Sequence, residues 1–556
     1  MLGLTARFDR TALGVWASLA LVGCHVDLFD PFAAADEVGE GDDEVPTSVG
    51  SNDEEGEGSG DAAEDTGEPP VFDVLGEDDS NLSSCEFAAS LPSHLGCEFF
   101  GVDLDQAGLA DFDAYGFVLI NPQKRAVEAS VERFVDHGWV VSESATIEPE
   151  QAHVFLPSDM EKLDTGLYDS AVLRIRTTLP VIAIQASPAE YNESQPGFSA
   201  SATLLQPTSG WTDATRVVGW RTQAGLAERA FLGVIALEDF TPINLDLSFV
   251  VEPGPGGVAL INPMVVGAGQ LLRLSAHDDP KAGLAGTRVW SGQEQHSVVF
   301  SAHSCAAIPD DQGSTCGHMQ EQLGNSLLGR HFVAPRLLAR VDVLGDDVPE
   351  LIHERTMIQV VADEPDTQIT LFHGVGQLLD SAVIDPDAPY TFEQREHELA
   401  VVSDKPVTVA AYMTNAEFTE LGSPSMVQLA PIEQWTTSHW VWVPQGFTTH
   451  LVVLGDEASQ IEISALAGVA LALEPDQTPG PPPPIPPVPG LPIDQASVAG
   501  EGIGAHQVTR WAVEPGIYRI DSQTPTSVVV VGARVMDGFA YLGGWGPSLV
   551  DIGPPT

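Results

Sequence analysis

The sequence predicts an all-β protein built from four repeats of roughly 110 residues. Three observations carry that expectation. Apolar and polar residues alternate with period two in many short runs, as where Ile243, Leu245, Leu247 and Phe249 oppose Asn244, Asp246 and Ser248. A 3.6-residue helical period is nowhere sustained. Two forms of strand pair recur in alternation along the 556 residues.

The chain opens with Arg7 and Arg10 ahead of an apolar run from Ala12 to Val22, too short to span a bilayer. The run ends in Leu21-Val22-Gly23-Cys24, which resembles the lipobox of a bacterial lipoprotein signal. That resemblance implies removal of residues 1–23 and acylation of Cys24. An ordinary secretory signal with an incidental cysteine is the alternative. His25 stands where an aspartate would suggest inner-membrane retention. The implied location is therefore the outer membrane, facing the cell exterior, with a periplasm-facing lipoprotein as the alternative.

Residues 24–80 read as a tether. From Asp36 to Asp79 there are 18 acidic residues and no Lys or Arg. Such a stretch buries too little apolar surface to offset its ordering entropy, and like charges keep it extended. The whole chain carries 80 acidic against 23 basic residues, a net charge of -57. Nucleic acid and anionic lipid surfaces would be repelled, which leaves the lipid anchor as the only membrane contact.

The β pattern occupies residues 81–556. Four segments read as hairpins with an acidic or Pro-containing turn: Phe117–Val131, Phe231–Phe249, Met357–Phe372 and Leu451–Leu466. Four others read as a strand, a polar turn and a Val-rich strand: Val172–Ile184, Thr287–Phe300, Leu399–Tyr412 and Tyr518–Val531. Pro180, Pro406 and Pro525 sit at or near those turns, where a missing N–H is harmless. A third element opens the later repeats: Leu204-Leu205-Gln206-Pro207 leads through Trp211, and Met426 to Pro431 leads through Trp435 to Trp440-Val441. Eight hairpin units of even spacing predict a β-propeller-like ring, with tandem β-sandwich modules as the alternative. Residues 479–492 (PGPPPPIPPVPGLP) form a polyproline insertion inside the last repeat.

Gly286–Leu323, with its strand pair, cysteine-bounded loop and Glu321-Gln322-Leu323, resembles the IgGFc-binding protein N-terminal domain family. Gly422–Pro444, Gly96-Cys97-Glu98-Phe99 and Asp537–Gly544 match the family in the same order. Departures at Gln295-His296, Gly317 and Ser423 fall in loops. The resemblance implies an extracellular, non-catalytic binding domain for a protein or glycan. A carbohydrate-active hydrolase with paired carboxylates in a propeller cleft is the rival class.

Candidate sites are few. Besides Cys24 the chain holds Cys85, Cys97, Cys305 and Cys316, an even number that suggests two disulfides in an exported protein. Pairing near neighbours closes two short loops, and two other connectivities remain open. His303 and His318 flank Cys305 and Cys316 in a set that has the ligand types of a zinc site, though a disulfide with bystander histidines is favoured. Asp103, Asp105, Asp111 and Asp113 crowd around Gly108; they lack EF-hand spacing, and a solvated turn is favoured over Ca²⁺. No metal or other cofactor is expected. Trp211, Trp435, Trp440 and Trp442 are candidate ligand contacts, although strand-flanking core is the commoner fate. There is no G-x-S-x-G, no H-E-x-x-H and no phosphate-cradling glycine loop before a helix.

Overall fold

The computed structural model describes residues 84–546, except 108–114, 159–163, 190–199, 223–228, 255–260, 280, 293–294, 310–315, 338, 343–349, 416–421, 468–484 and 536. The anchor cysteine, the tether and part of the polyproline insertion lie outside these residues. The described chain is almost entirely β, and its strands follow one pairing diagram four times.

In the first unit a short helix, α1 (Cys85–Ser90), precedes β1 (Gly96–Gly101), β2 (Gly116–Ile120), β3 (Val127–Val135) and β4 (Gly138–Ile147). Next come β5 (Ala152–Phe155), β6 (Gly166–Tyr168), β7 (Leu173–Ser187) and β8 (Ser201–Leu204). β7 organises the unit. Its first half pairs with β1 and β3, and its second half with β2 and β8. Two sheets, β4-β3-β7-β1 and β5-β2-β7-β8, thus share one long strand. On one edge the partner changes from β3, last paired at Thr177, to β2, first paired at Ile182, and Pro180 between them has no N–H to offer; on the other edge β1 reaches Val181 across a bulge.

The second unit comprises β9 (Ala214–Arg216), β10 (Ala230–Ala236), β11 (Thr241–Asp246), β12 (Met264–Val266) and β13 (Leu271–Ser275). It ends with β14 (Arg288–Trp290), β15 (Ser297–Ala306) and β16 (Gly317–Leu323). Here the shared strand is broken in two: β14 pairs with β9 and β11, and β15 with β10 and β16. β6 of the first unit extends this sheet by pairing with β13.

The third unit runs through β17 (Gly329–Ala334), the small ribbon β18 (Ala339–Asp342) and β19 (Glu350–His353), then β20 (Thr356–Ala362) and β21 (Thr367–His373). β22 (Gln377–Ile384), β23 (Tyr390–Gln394), β24 (Leu399–Met413) and β25 (Ser425–Gln428) complete it. β24 repeats the behaviour of β7, changing partners across Pro406. The fourth unit holds β26 (Thr436–Val443), β27 (Thr448–Asp456), β28 (Ile461–Ala467) and β29 (Asp494–Gly500). Then follow β30 (Gly504–Val513), β31 (Gly516–Arg534) and β32 (Asp537–Leu542). β31 changes partners across Pro525.

These pairings correct the expected hairpins. The strands of Phe117–Val131, β2 and β3, do not pair with each other but enter different sheets, and the same holds for the three corresponding segments. Val172–Ile184, Leu399–Tyr412 and Tyr518–Val531 are not hairpins either. Each is one bent strand, with its proline at the bend. Alternation reports which face a residue occupies and is silent on the partner strand. The order within a unit is therefore not a run of consecutive hairpins.

The four closing strands form a cycle: β8 lies against β16, β16 against β25, β25 against β32, and β32 against β8. Each step is bonded. Gln320 Nε2 donates to Ser201 Oγ (2.9 Å), Gly324 N–H to Gln428 Oε1 (3.0 Å), Ala540 N–H to Ser425 Oγ (2.8 Å), and Ala200 N–H to Asp537 Oδ1 (2.6 Å). The apolar core follows the same cycle. Its largest cluster joins Val409 and Val441 of the later units to Val118 and Ile184 of the first.

Both disulfides pair near neighbours, Cys85 with Cys97 and Cys305 with Cys316, with Cα atoms 5.7 Å and 5.0 Å apart. The second staples β15 to β16, and Asn415 of the third unit bonds the same loop through the Ile308 carbonyl. Replacing Cys305 and Cys316 together by serine should cost about 3 kcal/mol through loop entropy. Chemical denaturation should show that loss as a lower midpoint with an unchanged native far-UV spectrum.

Candidate functional site

The sites expected from the sequence are mostly structural. Cys305 and Cys316 are consumed by their bond, so the zinc-like set loses its thiolates. His318 Nδ1 lies 3.1 Å from the His303 carbonyl, and His303 Nδ1 accepts the Cys305 N–H at 3.1 Å. Both rings are buried, and desolvation lowers their pKa values to about 4 for His303 and about 3 for His318. Asp105 is buried in an ion pair with Arg273 of β13 at 2.8 Å. Asp111 and Asp113 lie outside the described residues.

The four tryptophans proposed as ligand contacts are core residues, each at most 5% exposed. Trp211 and Trp435 follow single 3-10 turns (Thr208–Gly210 and Ile432–Gln434) that link one unit to the next. Their indole N–H groups donate five residues back, to the Gln206 carbonyl (3.1 Å) and the Ala430 carbonyl (3.2 Å). At these two junctions the tryptophan satisfies its polar atom locally and buries its ring; at the junction between units two and three, Leu328 follows the turn Asn325–Leu327.

The seams differ in how they are filled. After its first strand, each of the first three units sends a segment toward the next unit: to β13 from the first, to β20 from the second and to β30 from the third. Between units one and two this seam is closed by Asp105 and Arg273, whose guanidinium lies 3.9 Å from the Phe231 ring centroid. Between units three and four it holds Arg336, Glu398, Arg510 and Asp494. There Glu398 Oε1 lies 2.8 Å from Arg336 and 3.0 Å from Arg510.

Between units two and three the seam opens into a cleft of about 420 Å³, within the range of small-ligand sites. Trp220, Phe249, Met357, Pro309 and Pro389 supply its apolar lining. Arg221, Lys281 and Asp387 supply charge, and Ser248, Gln359 and Thr391 supply hydrogen-bonding groups. Its floor is built in advance. Gly219 N–H donates to Gln359 Oε1, and Gln359 Nε2 donates back to the Gly219 carbonyl, both at 3.1 Å. Tyr412 O–H donates to the same Oε1 at 2.9 Å, and its ring packs 5.2 Å from that of Trp220. Beneath, Arg216 spans the seam to Asp363 at 3.3 Å.

Two glycines make the seam possible. A Cβ on Gly219 would stand 2.7 Å from Ser301 Oγ. Gly286 has φ +88°, and a side chain there would strike the Pro386 carbonyl, displacing the loop that carries Asp387.

Beside the cleft, in the cycle of closing strands, Glu321 is fully buried, and desolvation holds its carboxyl well above the usual range. It accepts hydrogen bonds from the Gln428 backbone and the Thr203 side chain, which lower the pKa but less strongly. Asp537 is pushed up to about 6 by burial, against the pull of Arg534. Neither lines the cleft, and among the described residues Asp387 is the carboxylate that does. Among the described residues, then, no glycosidase-like pair of carboxylates meets there.

Sequence reasoning missed the cleft residues. Trp220 and Arg221 stand about ten residues beyond Trp211, outside the recurring opening that the sequence showed. Lys281 carried a signal: it is one of four lysines in the chain. A family model described as IgGFc binding protein matches residues 201–532, which takes in every residue of the cleft. No curated protein and no solved structure matches the chain.

Proposed function

The chain belongs to the IgGFc-binding protein family, and from the lipobox-like Leu21-Val22-Gly23-Cys24 we propose that it is a lipoprotein anchored at the outer surface of the cell through Cys24. Its ring of β units is a non-catalytic binding domain for an extracellular protein or glycan. The cleft between units two and three is the observation that supports a ligand site within it. It is preformed, of ligand size and lined by few charged groups among apolar walls. The acidic segment from Asp36 to Asp79 then serves as a spacer between membrane and domain.

Two measurements test this. The full-length protein displayed on cells should show saturable binding on an array of extracellular proteins and glycans; binding to none of them would refute the assignment. Metabolic labelling with a fatty acid should mark the wild type and leave Cys24→Ala unlabelled and released from the membrane fraction. Equal labelling of the two would remove the anchor.

A further inference from the structure

We infer that the open edge of β22, in the third unit, takes an extended basic segment of a partner protein, which joins the sheet as a further strand. The inference rests on the reading of the chain as a binding domain for an extracellular protein, and it concerns a surface other than the cleft. β22 pairs with β21, and among the described residues no strand pairs with its other side. Every residue from Gln377 to Ser381 is exposed, and Leu378 and Val383 are 60% and 67% exposed. Ladder partners share a face, so the pairs Leu378–Phe372, Ser381–Thr370 and Val383–Gln368 set Leu378 and Val383 on one face. The bulge at Leu379 leaves Asp380–Ile384 in regular register. Lysine, proline or short length commonly closes such an edge to other chains. β22 is eight residues long and contains no Lys, Arg or Pro. Along an edge of this kind main-chain pairing supplies affinity, and the exposed side chains supply selectivity.

Charge selects the occupant. Between Asp363 and Glu398 stand nine acidic residues and one arginine. Three of the nine, Asp363, Glu393 and Glu398, meet arginines. Asp380 lies on the strand itself, where Tyr390 donates to it, and Asp385 lies just beyond the strand. Asp366 N–H donates to Asp385 at 2.9 Å, and Gln368 N–H, opposite Val383, donates to Asp404 at 2.8 Å. A carboxylate that accepts a backbone N–H keeps its charge. Lys405, at the same end, is held by the Pro365 carbonyl at 2.6 Å. A second copy of this chain would bring the same acids to the joint on a molecule of net charge -57, and is repelled. A strand that mixes lysine or arginine with aliphatic residues meets both the acidic rim and the exposed Leu378 and Val383. The counterpart edge in the first unit differs. β4 exposes Val140 and Val141, but their ladder partners are Arg133 and Glu132, so that edge favours neither sign.

The test is titration of the full-length protein with a short blocked peptide of alternating lysine and valine, read by calorimetry and by isotope-edited infrared spectroscopy of the peptide carbonyls. The peptide should bind saturably, its carbonyl band should move to the β-sheet position, and its affinity should fall severalfold as salt is raised. A glutamate–valine peptide of equal length should bind at least about tenfold more weakly. So should the lysine–valine peptide N-methylated throughout, which cannot donate to the edge. Val383→Lys, at an exposed position, should weaken the lysine–valine peptide by a similar factor, and Val140→Lys in β4 should leave its affinity unchanged. Both variants should keep the native far-UV spectrum.

No binding of the lysine–valine peptide, equal binding of either control peptide, an unchanged affinity in Val383→Lys or an equal loss in Val140→Lys would overturn the inference. So would dimerisation of the wild type in sedimentation that Val383→Lys abolishes, since a second copy would then be the occupant. If the peptide fails while the array finds a ligand, the edge inference falls and the binding function stands. If the peptide binds and the array finds nothing, the reverse holds.

Discussion

Between about pH 6.5 and pH 4 the folded protein should lose on the order of 10 kcal/mol of stability. The cause is a set of buried histidines. His94, His303 and His450 are depressed to about 4, and His318 and His439 to about 3, in each case chiefly by desolvation. Most have one ring nitrogen against a backbone group, as with His439 Nε2 at 3.0 Å from the Thr526 carbonyl. The other nitrogen of His318 is buried with no hydrogen-bond partner among the described residues, so a proton there would have nothing to solvate it. A depressed folded-state pKa means that the unfolded chain binds protons first. The stability these groups contribute is complete above the unfolded value of 6.5 and is lost as pH falls through the folded values near 4. Glu321 and Asp537 act oppositely, since their raised values penalise the fold at neutral pH and the penalty is relieved on acidification. Five groups outweigh two. Calorimetry across this range should show Tm falling by about 10 °C or more, and a flat profile would refute the account. His450→Gln should reduce the pH slope by about one proton.

The second large effect is expected at the seam between units three and four. Glu398→Gln should destabilise the protein by about 3–5 kcal/mol. Glu398 and Arg510 are both fully buried. Glu398 Oε2 accepts the Arg336 N–H at 2.6 Å, and its Oε1 accepts from Arg336 Nε at 2.8 Å. Neutralising the carboxylate leaves two guanidinium groups sharing one remaining anion, Asp494, at 2.8 Å from Arg510 and 4.0 Å from Arg336. Removing the charge on both sides should be far milder: Glu398→Leu with Arg510→Met should recover most of the loss. A double-mutant cycle by chemical denaturation measures this. Additive effects in the cycle would show that the pair is not coupled.

Much of the architecture was legible in the sequence, and the errors share one origin. Alternation identified β7, β24 and β31 correctly as apolar strand material, and Pro180, Pro406 and Pro525 were correctly placed at interruptions of pairing. What a proline cannot say is whether the chain reverses there or continues. In these strands it continues, because the bend lets one strand serve two sheets. For the same reason β2 and β3 looked like a hairpin: the residues flanking a tight turn and those crossing between sheets have the same polar composition. Trp211 and Trp435 invited a binding role because nothing in their spacing reveals that the indole N–H is satisfied five residues back. The cleft was illegible for a simpler reason. Trp220, Lys281, Gln359 and Asp387 are far apart in sequence and meet only when the second unit is seated against the third.

The closed cycle of strands also constrains how the chain reaches its native state. His94 N–H donates to the Trp545 carbonyl at 3.2 Å, and Gly546 N–H to the Gln434 carbonyl at 2.9 Å. The first unit is therefore completed by residues that follow the fourth unit's strands, some 450 residues later in the chain. Until β32 is available, β8 has β7 and β16 as neighbours, and its face meant for β32 stays open to other chains. Contacts of such sequence separation slow folding, and the open intermediate is the species most prone to exchange closing strands between copies. Chains truncated before β32 should populate that state at equilibrium.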